Sequence, residues 1–348
     1  MPTTDTSLRI GVIGLGFMGK THLEAYAAAI AEGANAQLVA VADADADRRA
    51  GIPTGAGNIG ETTGERMFDP ARVTAYETAA ELLADERVQL VSLCTPTDTH
   101  IDLATRALRA GKHVLLEKPV ALTHEAVEEL QRVAESAGCV CIPAMCMRFW
   151  PAWAWLKGAI DAQKYGSVVA ARFERLGSRP TWGQGFYNDA ARSGGALFDL
   201  HVHDTDFVVH CFGEPVSVSS LGSRSHVQTV YEFAEGPGFV QAEGGWLNSP
   251  HFPYRMRYTV EFENAVADFD LTRDDPLRVH TADGTDLPEL EPITGYDGEI
   301  RLAIQAATAG AQPSPSLRDA AIVTRVLQAE AQSLETGGPV VLRDFNPA

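Results

Sequence analysis

The sequence predicts an α/β chain. An N-terminal doubly wound parallel sheet is followed by a C-terminal α+β domain with a large, mostly antiparallel open sheet. Three observations carry this expectation. Short apolar runs alternate with helix-patterned segments through residues 8–144, the rhythm of a parallel sheet covered by helices on both faces. From Ser167 onward, strand-like segments follow one another without interleaved helices, which implies antiparallel pairing. The 348 residues are enough for two hydrophobic cores, and the change of pattern places a boundary between residues 1–144 and 145–348.

The first strand, Arg9–Ile13, runs into Gly14-x-Gly16-x-x-Gly19, and helix-forming residues continue from Lys20 to Ala31. Gly14 permits the tight strand-to-helix turn, Gly16 lets a backbone approach a pyrophosphate, and Gly19 lets helix and strand pack closely. Phe17 and Met18 lie in the same turn, at a helix start whose free N–H groups and positive dipole end suit phosphates. A second apolar strand, Gln37–Asp43, ends in a carboxylate placed to hold ribose hydroxyls. Together these features read as the dinucleotide site of a Rossmann domain. Asp43 repels a 2′-phosphate, Ala44 supplies no cation, and Arg48 and Arg49 read as a solvated helix face. NAD is therefore expected over NADP.

A polar, Gly-rich stretch, Gly51–Pro70, reads as a long loop beside the adenosine end of that site. Strands are then expected at Val73–Tyr76, Val88–Leu93, His113–Leu116 and Cys139–Ala144, with helices at Thr78–Ala84, Asp102–Arg109 and Glu125–Ala137. Ligands of such sheets sit at the carboxyl ends of the strands. Two strand ends there are chemically suggestive: Cys94-Thr95-Pro96-Thr97-Asp98-Thr99-His100 and Glu117-Lys118-Pro119. Lys118 can project into the cofactor crevice, and on pattern alone it reads equally well as a surface lysine.

Composition narrows the function classes. A net charge of −18 opposes nonspecific binding to nucleic acid or anionic membranes. No apolar run is long enough to span a bilayer, and Met1–Leu8 lacks the basic and apolar regions of a signal peptide. A cytoplasmic location is expected. Five cysteines in apolar settings, Cys94, Cys139, Cys141, Cys146 and Cys211, read as reduced thiols rather than metal ligands or disulfides.

In the second half a helix over Trp153–Ala162 is expected to bridge the domains, with Trp150, Trp153 and Trp155 at their junction. Strands are expected at Val168–Leu176, Val216–Leu221, Gln228–Phe233, Phe239–Trp246, Tyr254–Phe262 and Ala265–Asp270, and late helices at Glu299–Ala309 and Leu317–Leu334. An apolar face left open on this sheet would meet a symmetry mate, so a homodimer or homotetramer is expected.

Ser193-Gly194-Gly195 reads as a loop entering one helix, Ala196–Cys211. On it Asp199 and His203 stand four residues apart, on one face. A carboxylate one turn from an imidazole orients the ring and stabilises its charged form. Oxidation of an alcohol needs such a base, because the hydroxyl proton must leave as hydride departs. A helix-surface ion pair is the plainer alternative. The neighbouring His201-Val202-His203 also invites a metal-dependent hydrolase, but helical residues two apart point roughly 200° away from each other. No metal site is expected, and His201 and Asp206 read as secondary polar contacts or surface groups.

Gly14-x-Gly16-x-x-Gly19, Thr95-Pro96-x-x-x-His100, Glu117-Lys118-Pro119, Arg148-Phe149-x-Pro151 and Gly194-Gly195-Ala196-Leu197-x-Asp199-x-x-x-His203 together carry a resemblance. The chain resembles the glucose–fructose oxidoreductase/inositol dehydrogenase/rhizopine-catabolism family along nearly its whole length. The resemblance implies an NAD-dependent oxidoreductase acting on a sugar or cyclic polyol. It implies His203 as base, Asp199 as its holder and Lys118 at the reacting oxygen. Cofactor contacts would come from the glycine turn, Asp43, Thr95, Pro96, His100, Glu117 and Lys118. Candidate polyol contacts are Arg148, Trp182, Tyr187, Asn188 and His100, each equally explicable as loop or interface packing. Two other functions share this sequence pattern: a redox-neutral enzyme cleaving glycosides with bound NAD, and a non-catalytic NAD(P)-binding regulator. Lys118, Asp199 and His203 together argue against the regulator.

Overall fold

The computed structural model describes residues 6–54, 66–181 and 185–345; Trp182 and much of the expected 51–70 loop lie outside them. In chain order the first elements are β1 (Leu8–Ile13), α1 (Phe17–Ala31), β2 (Ala36–Ala42), α2 (Ala46–Arg49), β3 (Thr74–Tyr76), α3 (Ala79–Ala84), β4 (Leu90–Leu93), α4 (His100–Arg109), β5 (His113–Leu116), α5 (His124–Ala137) and β6 (Cys141–Pro143). There follow α6 (Pro151–Asp161), β7 (Val168–Ser178), α7 (Ala190–Ser193), α8 (Gly195–Asp199), α9 (Val202–Phe212), β8 (Ser217–Ser223), β9 (His226–Glu232), β10 (Phe239–Leu247), β11 (Arg255–Phe262), β12 (Val266–Asp270), β13 (Leu277–Thr281) and β14 (Gly284–Asp286). The chain ends with α10 (Gly295–Ala309), α11 (Leu317–Thr336) and β15 (Val340–Val341).

Two compact units result: one through Met145 together with Tyr296–Ala321, the other Cys146–Gly295 with Ile322 onward. The first is built on a six-stranded sheet of order β3-β2-β1-β4-β5-β6, every pair parallel. Its strands are apolar on both faces because both faces are buried. Ile10, Val12 and Leu115 pack with Leu23 and Tyr26 of α1 and Ile300 and Ala303 of α10. Val91, Leu93 and Leu116 pack with Leu82 of α3, Leu108 of α4, Leu130 of α5 and Leu317 of α11. The chain thus returns to this sheet for α10. The carboxyl ends of β1, β4 and β5 lie side by side, where the glycine turn, Cys94–Pro96 and Glu117–Lys118 leave the sheet.

The second unit holds a nine-stranded sheet of order β14-β13-β12-β11-β7-β10-β9-β8-β15. Its pairs are antiparallel except β7 with β10, which run parallel at the centre. Helix α6 packs on this sheet. Trp153 is fully buried, with ring centroids 5.1 Å from Tyr258, 4.7 Å from Phe269 and 6.3 Å from Phe207 of α9. Trp153 is therefore core of the second unit.

The opposite face of the sheet corrects a second expectation. It is polar rather than apolar: Arg172, Glu174, Gln228, Gln241, Glu243, Arg257, Thr259 and Asp270 alternate with the buried residues. Arg257 pairs with Asp270 at 2.8 Å, and Arg255 with Glu174 at 3.5 Å. Among its apolar members is Val230, 38% exposed.

Candidate active site

The glycine turn has the geometry its spacing predicts. Gly14 has φ +86°, and a Cβ there would lie 2.5 Å from the Cys94 carbonyl oxygen. A Cβ on Gly19 would lie 1.9 Å from the Gly14 oxygen, so helix and turn meet there as backbones. At Gly16 the nearest atom to an added Cβ is the tip of Arg48, 3.8 Å away. Among the described residues that opening faces no protein backbone, and it suits a ligand. Helix α1 starts at Phe17, earlier than expected, with no side chain capping it and no acidic residue in its first turn. Its first N–H groups and dipole end are thus left for an anion. These features fit a dinucleotide.

Asp43 follows β2 and closes onto the turn. Its Oδ2 accepts from the Leu15 N–H at 2.7 Å and its Oδ1 from the Asp45 N–H at 2.8 Å. Arg48 departs from the expected solvated helix face: its guanidinium lies 3.6 Å from the Asp43 carboxylate, and its Nε donates to Thr54 Oγ1 at 2.7 Å. The four-residue helix α2 folds back because Asp45 caps it through the Asp47 and Arg48 N–H groups. Arg49 likewise donates to the Asp43 and Ala44 carbonyls at 2.8 Å. A cation therefore stands at the Asp43 carboxylate, which Ala44 alone could not supply.

The ends of β4 and β5 are tied by His100. Its ring nitrogens lie 2.8 Å from the Thr95 carbonyl oxygen and 2.9 Å from that of Pro119. Burial holds the imidazole below its ordinary pKa, so the neutral ring serves two carbonyls with one N–H. His100 thus acts on Thr95–Pro96 and Lys118–Pro119 through their main chains. Thr95 Oγ1 sits 2.7 Å from Thr99 Oγ1.

Glu117 is buried beneath Lys118. Its Oε2 accepts from the Lys118 N–H at 3.1 Å, and its Oε1 lies 2.9 Å from His22 Nε2 of α1. Lys118 itself is half-buried at the strand end. Glu299 of α10 completes the group: one ligand atom from each of His22, Glu117 and Glu299 lies within 4.8 Å of the others. Neither His22 nor Glu299 carries a short-range signal. Glu299 was visible only as a carboxylate on the apolar stripe of α10, four residues before Ala303.

The second unit carries Asp199 and His203, and here the expected single helix is broken. Asp199 ends α8 and His203 is the second residue of α9, with Leu200 and His201 forming a turn between them. The N–H groups of Leu200 and His201 both reach the Ala196 oxygen, at 2.9 and 2.8 Å, and the His203 N–H reaches back to Leu200 at 3.4 Å. The cause is His201, which is fully buried as a polar contact, the first of its two expected roles. It needs room: a Cβ on Gly244 of β10 would lie 2.8 Å from its Nδ1. Its Nε2 is 3.1 Å from Glu330 Oε2 and 3.2 Å from the Tyr231 hydroxyl. Tyr231 and Thr205 donate to Glu330 Oε1 at 3.0 and 3.2 Å. Burial, with the Glu330 charge beside it, pushes the Tyr231 phenol well above its ordinary pKa.

Asp206 is also buried, correcting its surface alternative. Arg148 forks onto it, with contacts of 2.6 and 2.9 Å. Arg148 is 8% exposed, and its guanidinium meets Asp206 in the middle of α9. Asp204 holds the equally buried Arg175 at 2.8 and 3.0 Å. Asp199 and His203 are half-buried between these anchors. Tyr187 packs edge-on against Trp246, with centroids 5.9 Å apart, and Asn188 is exposed in the same turn. Sequence reasoning missed Glu330, Tyr231, Thr205 and Arg175. Glu330 alone had a signal, as a carboxylate among Val326, Leu327 and Ala331.

Among the described residues, no helix is long and apolar enough to cross a membrane. Residues 8–145 match the oxidoreductase family with an NAD-binding Rossmann fold, and residues 153–278 match the GFO/IDH/MocA C-terminal domain. The inositol 2-dehydrogenase of Rhizobium meliloti (strain 1021) is 28% identical, over 94% of this chain and 97% of that protein. The scyllo-inositol 2-dehydrogenase (NAD(+)) of Bacillus subtilis (strain 168) is 28% identical over 63% of this chain and 58% of its own length. A levoglucosan dehydrogenase solved with NADH and levoglucosan superposes with a TM-score of 0.82 at 23% identity, covering 97% of this chain and 100% of that one. The chain belongs to the GFO/IDH/MocA family of NAD-binding oxidoreductases.

Proposed function

We propose that the protein is an NAD-dependent dehydrogenase of a sugar or cyclic polyol such as an inositol, with Lys118, Asp199 and His203 at its reacting centre. The observation that carries this reading is the Glu117–Lys118 strand end: a half-buried lysine whose main chain is pinned by a buried carboxylate, on the edge where a dinucleotide binds. The substrate class draws support from inositol 2-dehydrogenase, alike over 94% of this chain. NAD would be held by the Gly14–Gly19 turn and Asp43, and when bound it supplies the hydride acceptor at nicotinamide C4. His203 takes the hydroxyl proton as the C–H bond yields its hydride, and a carbonyl forms. Asp199 orients the imidazole and stabilises its charged form. Lys118 hydrogen-bonds the reacting oxygen and eases loss of its proton.

A panel of inositols, aldoses and glycosides with NAD tests the reaction through NADH absorbance. NADH formed with one polyol supports the dehydrogenase. Glycoside consumed without NADH would replace it with the redox-neutral reading, and silence with every compound would leave the regulator.

Cofactor preference rests on Asp43 facing Arg48. The carboxylate disfavours a 2′-phosphate, while the guanidinium stands ready to receive one. Asp43→Ala is expected to lower the NAD/NADP ratio of kcat/KM about 100-fold, roughly 2.7 kcal/mol. Arg48→Ala is expected to raise it. An unchanged ratio in both variants would remove these residues from cofactor selection.

The outward face of the second unit's sheet carries self-association. Its ordered ion pairs and exposed Val230 suit a polar, self-complementary interface. Light scattering is expected to give twice or four times the 37.4 kDa chain mass; a monomer at micromolar concentration would exclude it.

A further inference from the structure

The buried group beneath Lys118 sets two carboxyls against one imidazole. His22 is 0%, Glu117 5% and Glu299 1% exposed, so none is screened by water. Glu117 is fully engaged, by His22 Nε2 on one oxygen and the Lys118 N–H on the other. Neither oxygen of Glu299 has a hydrogen-bond partner among the described residues; its nearest charge partner is His22 Nε2, at 3.6 Å. His22 cannot answer for both carboxylates, because its Nε2–H is directed at Glu117 and its Nδ1 faces Cys94 Sγ at 3.5 Å. The other titratable groups near the cluster are Tyr26, whose hydroxyl meets Ser92 at 2.8 Å, and His100 and Lys118 beside Glu117. An ionised carboxylate with no hydrogen bond in such a place is strongly disfavoured.

We propose that Glu299 holds a proton at neutral pH and, as a neutral acid facing the Glu117 carboxylate, is a positioning residue for the Glu117–Lys118 strand end. Two carboxyls with oxygens within 4.8 Å and one proton between the pair carry a single negative charge. A neutral Glu299 leaves the Glu117 carboxylate unopposed, whereas an ionised Glu299 would repel it and loosen its hold on the Lys118 N–H. Burial and the Glu117 charge push Glu299 well above the ordinary carboxylate range, while Glu117 is held below it, against its own burial, by His22. The proposal deepens the reading of Lys118 given above, but its tests do not depend on that reading.

Infrared spectra of the purified full chain, Glu299→Gln and Glu299→Ala decide it, together with NADH titration by tryptophan fluorescence. A deuterium-sensitive carboxylic-acid carbonyl band is expected in the natural protein at pH 7 and should vanish in Glu299→Gln. Glutamine is uncharged and nearly the same shape as the neutral acid, so Glu299→Gln should bind NADH within about twofold of the natural protein. Glu299→Ala leaves a void beside the Glu117 carboxylate and should bind about tenfold more weakly. Stability gives a third readout. Protons bound only by the folded state make stability fall as pH rises above about 4.5, up to tenfold in the folding constant per pH unit. Glu299→Gln removes that slope, so its advantage should widen from pH 5 toward 8. No acid band in the natural protein would overturn the proposal. So would stoichiometric metal lost on Glu299→Gln, since a cation would then be the counter-charge, or NADH binding in Glu299→Gln as weak as in Glu299→Ala. If the acid band and Gln rescue appear but Lys118→Ala leaves polyol oxidation intact, only the assigned role of Lys118 fails.

Discussion

Lys118→Ala is expected to lower kcat for polyol oxidation about 10²–10⁴-fold, the contribution of a positioned acid–base group. NADH affinity should fall by no more than about tenfold, because the glycine turn and Asp43 are untouched. His203→Asn should cost a similar factor in kcat and leave NADH affinity unchanged. If Lys118 and His203 act on one proton, their effects cannot add: the double variant should be little worse than either single one, far from the product of the two. Asp199→Asn should be milder, about 10–100-fold, because it removes the stabiliser of the imidazolium and leaves the base in place. Steady-state and single-turnover kinetics with the polyol found active measure all four. A Lys118→Ala enzyme retaining full kcat would remove the lysine from the chemistry, and additive losses in the double variant would separate the two groups into different steps.

What could be read from the chain beforehand divides by sequence distance. The glycine fingerprint was legible because its constraints are local: φ +86° at Gly14 and the contact of Gly19 with the Gly14 carbonyl involve neighbours within one turn. The parallel sheet was legible because strands buried on both faces must be apolar throughout. The break between α8 and α9 was not, since Ala196–Cys211 has a continuous helical pattern. It is His201, drawn toward Glu330 on α11 and seated against Gly244 on β10, that interrupts it. Arg48 was misplaced for a related reason: its helix is too short for a face to mean anything, and the Asp45 cap turns it back onto Asp43. The outward sheet face was misjudged despite being written in the sequence, as alternate charged residues from Arg172 to Glu174 and Arg255 to Arg257. Glu299 and Glu330 share one lesson. A carboxylate on the apolar stripe of a helix marks a buried polar partner, whose identity the helix alone does not reveal.

Glu330→Ala is expected to destabilise the second unit by about 3–5 kcal/mol, the usual loss when one member of a buried polar or ionic group is removed. The reason is the number of donors it leaves behind. Tyr231 and Thr205 both direct hydroxyls at Glu330 Oε1, and His201 Nε2 lies 3.1 Å from Oε2. None of them reaches water, so each would lose its acceptor in a dry site. Glu330→Gln keeps one carbonyl oxygen for the two hydroxyls and should cost less, about 1–2 kcal/mol. Calorimetry should show the alanine variant's transition lowered by on the order of 10 °C. The same group sets the turn that carries Asp199 into His203, so the damage should reach function below the melting point. kcat should fall in Glu330→Ala with NADH affinity retained, because the glycine turn belongs to the other unit. A variant that melts early but turns over normally would show that α9 keeps its first turn without His201 anchored, and that Asp199 and His203 are held by their own neighbours.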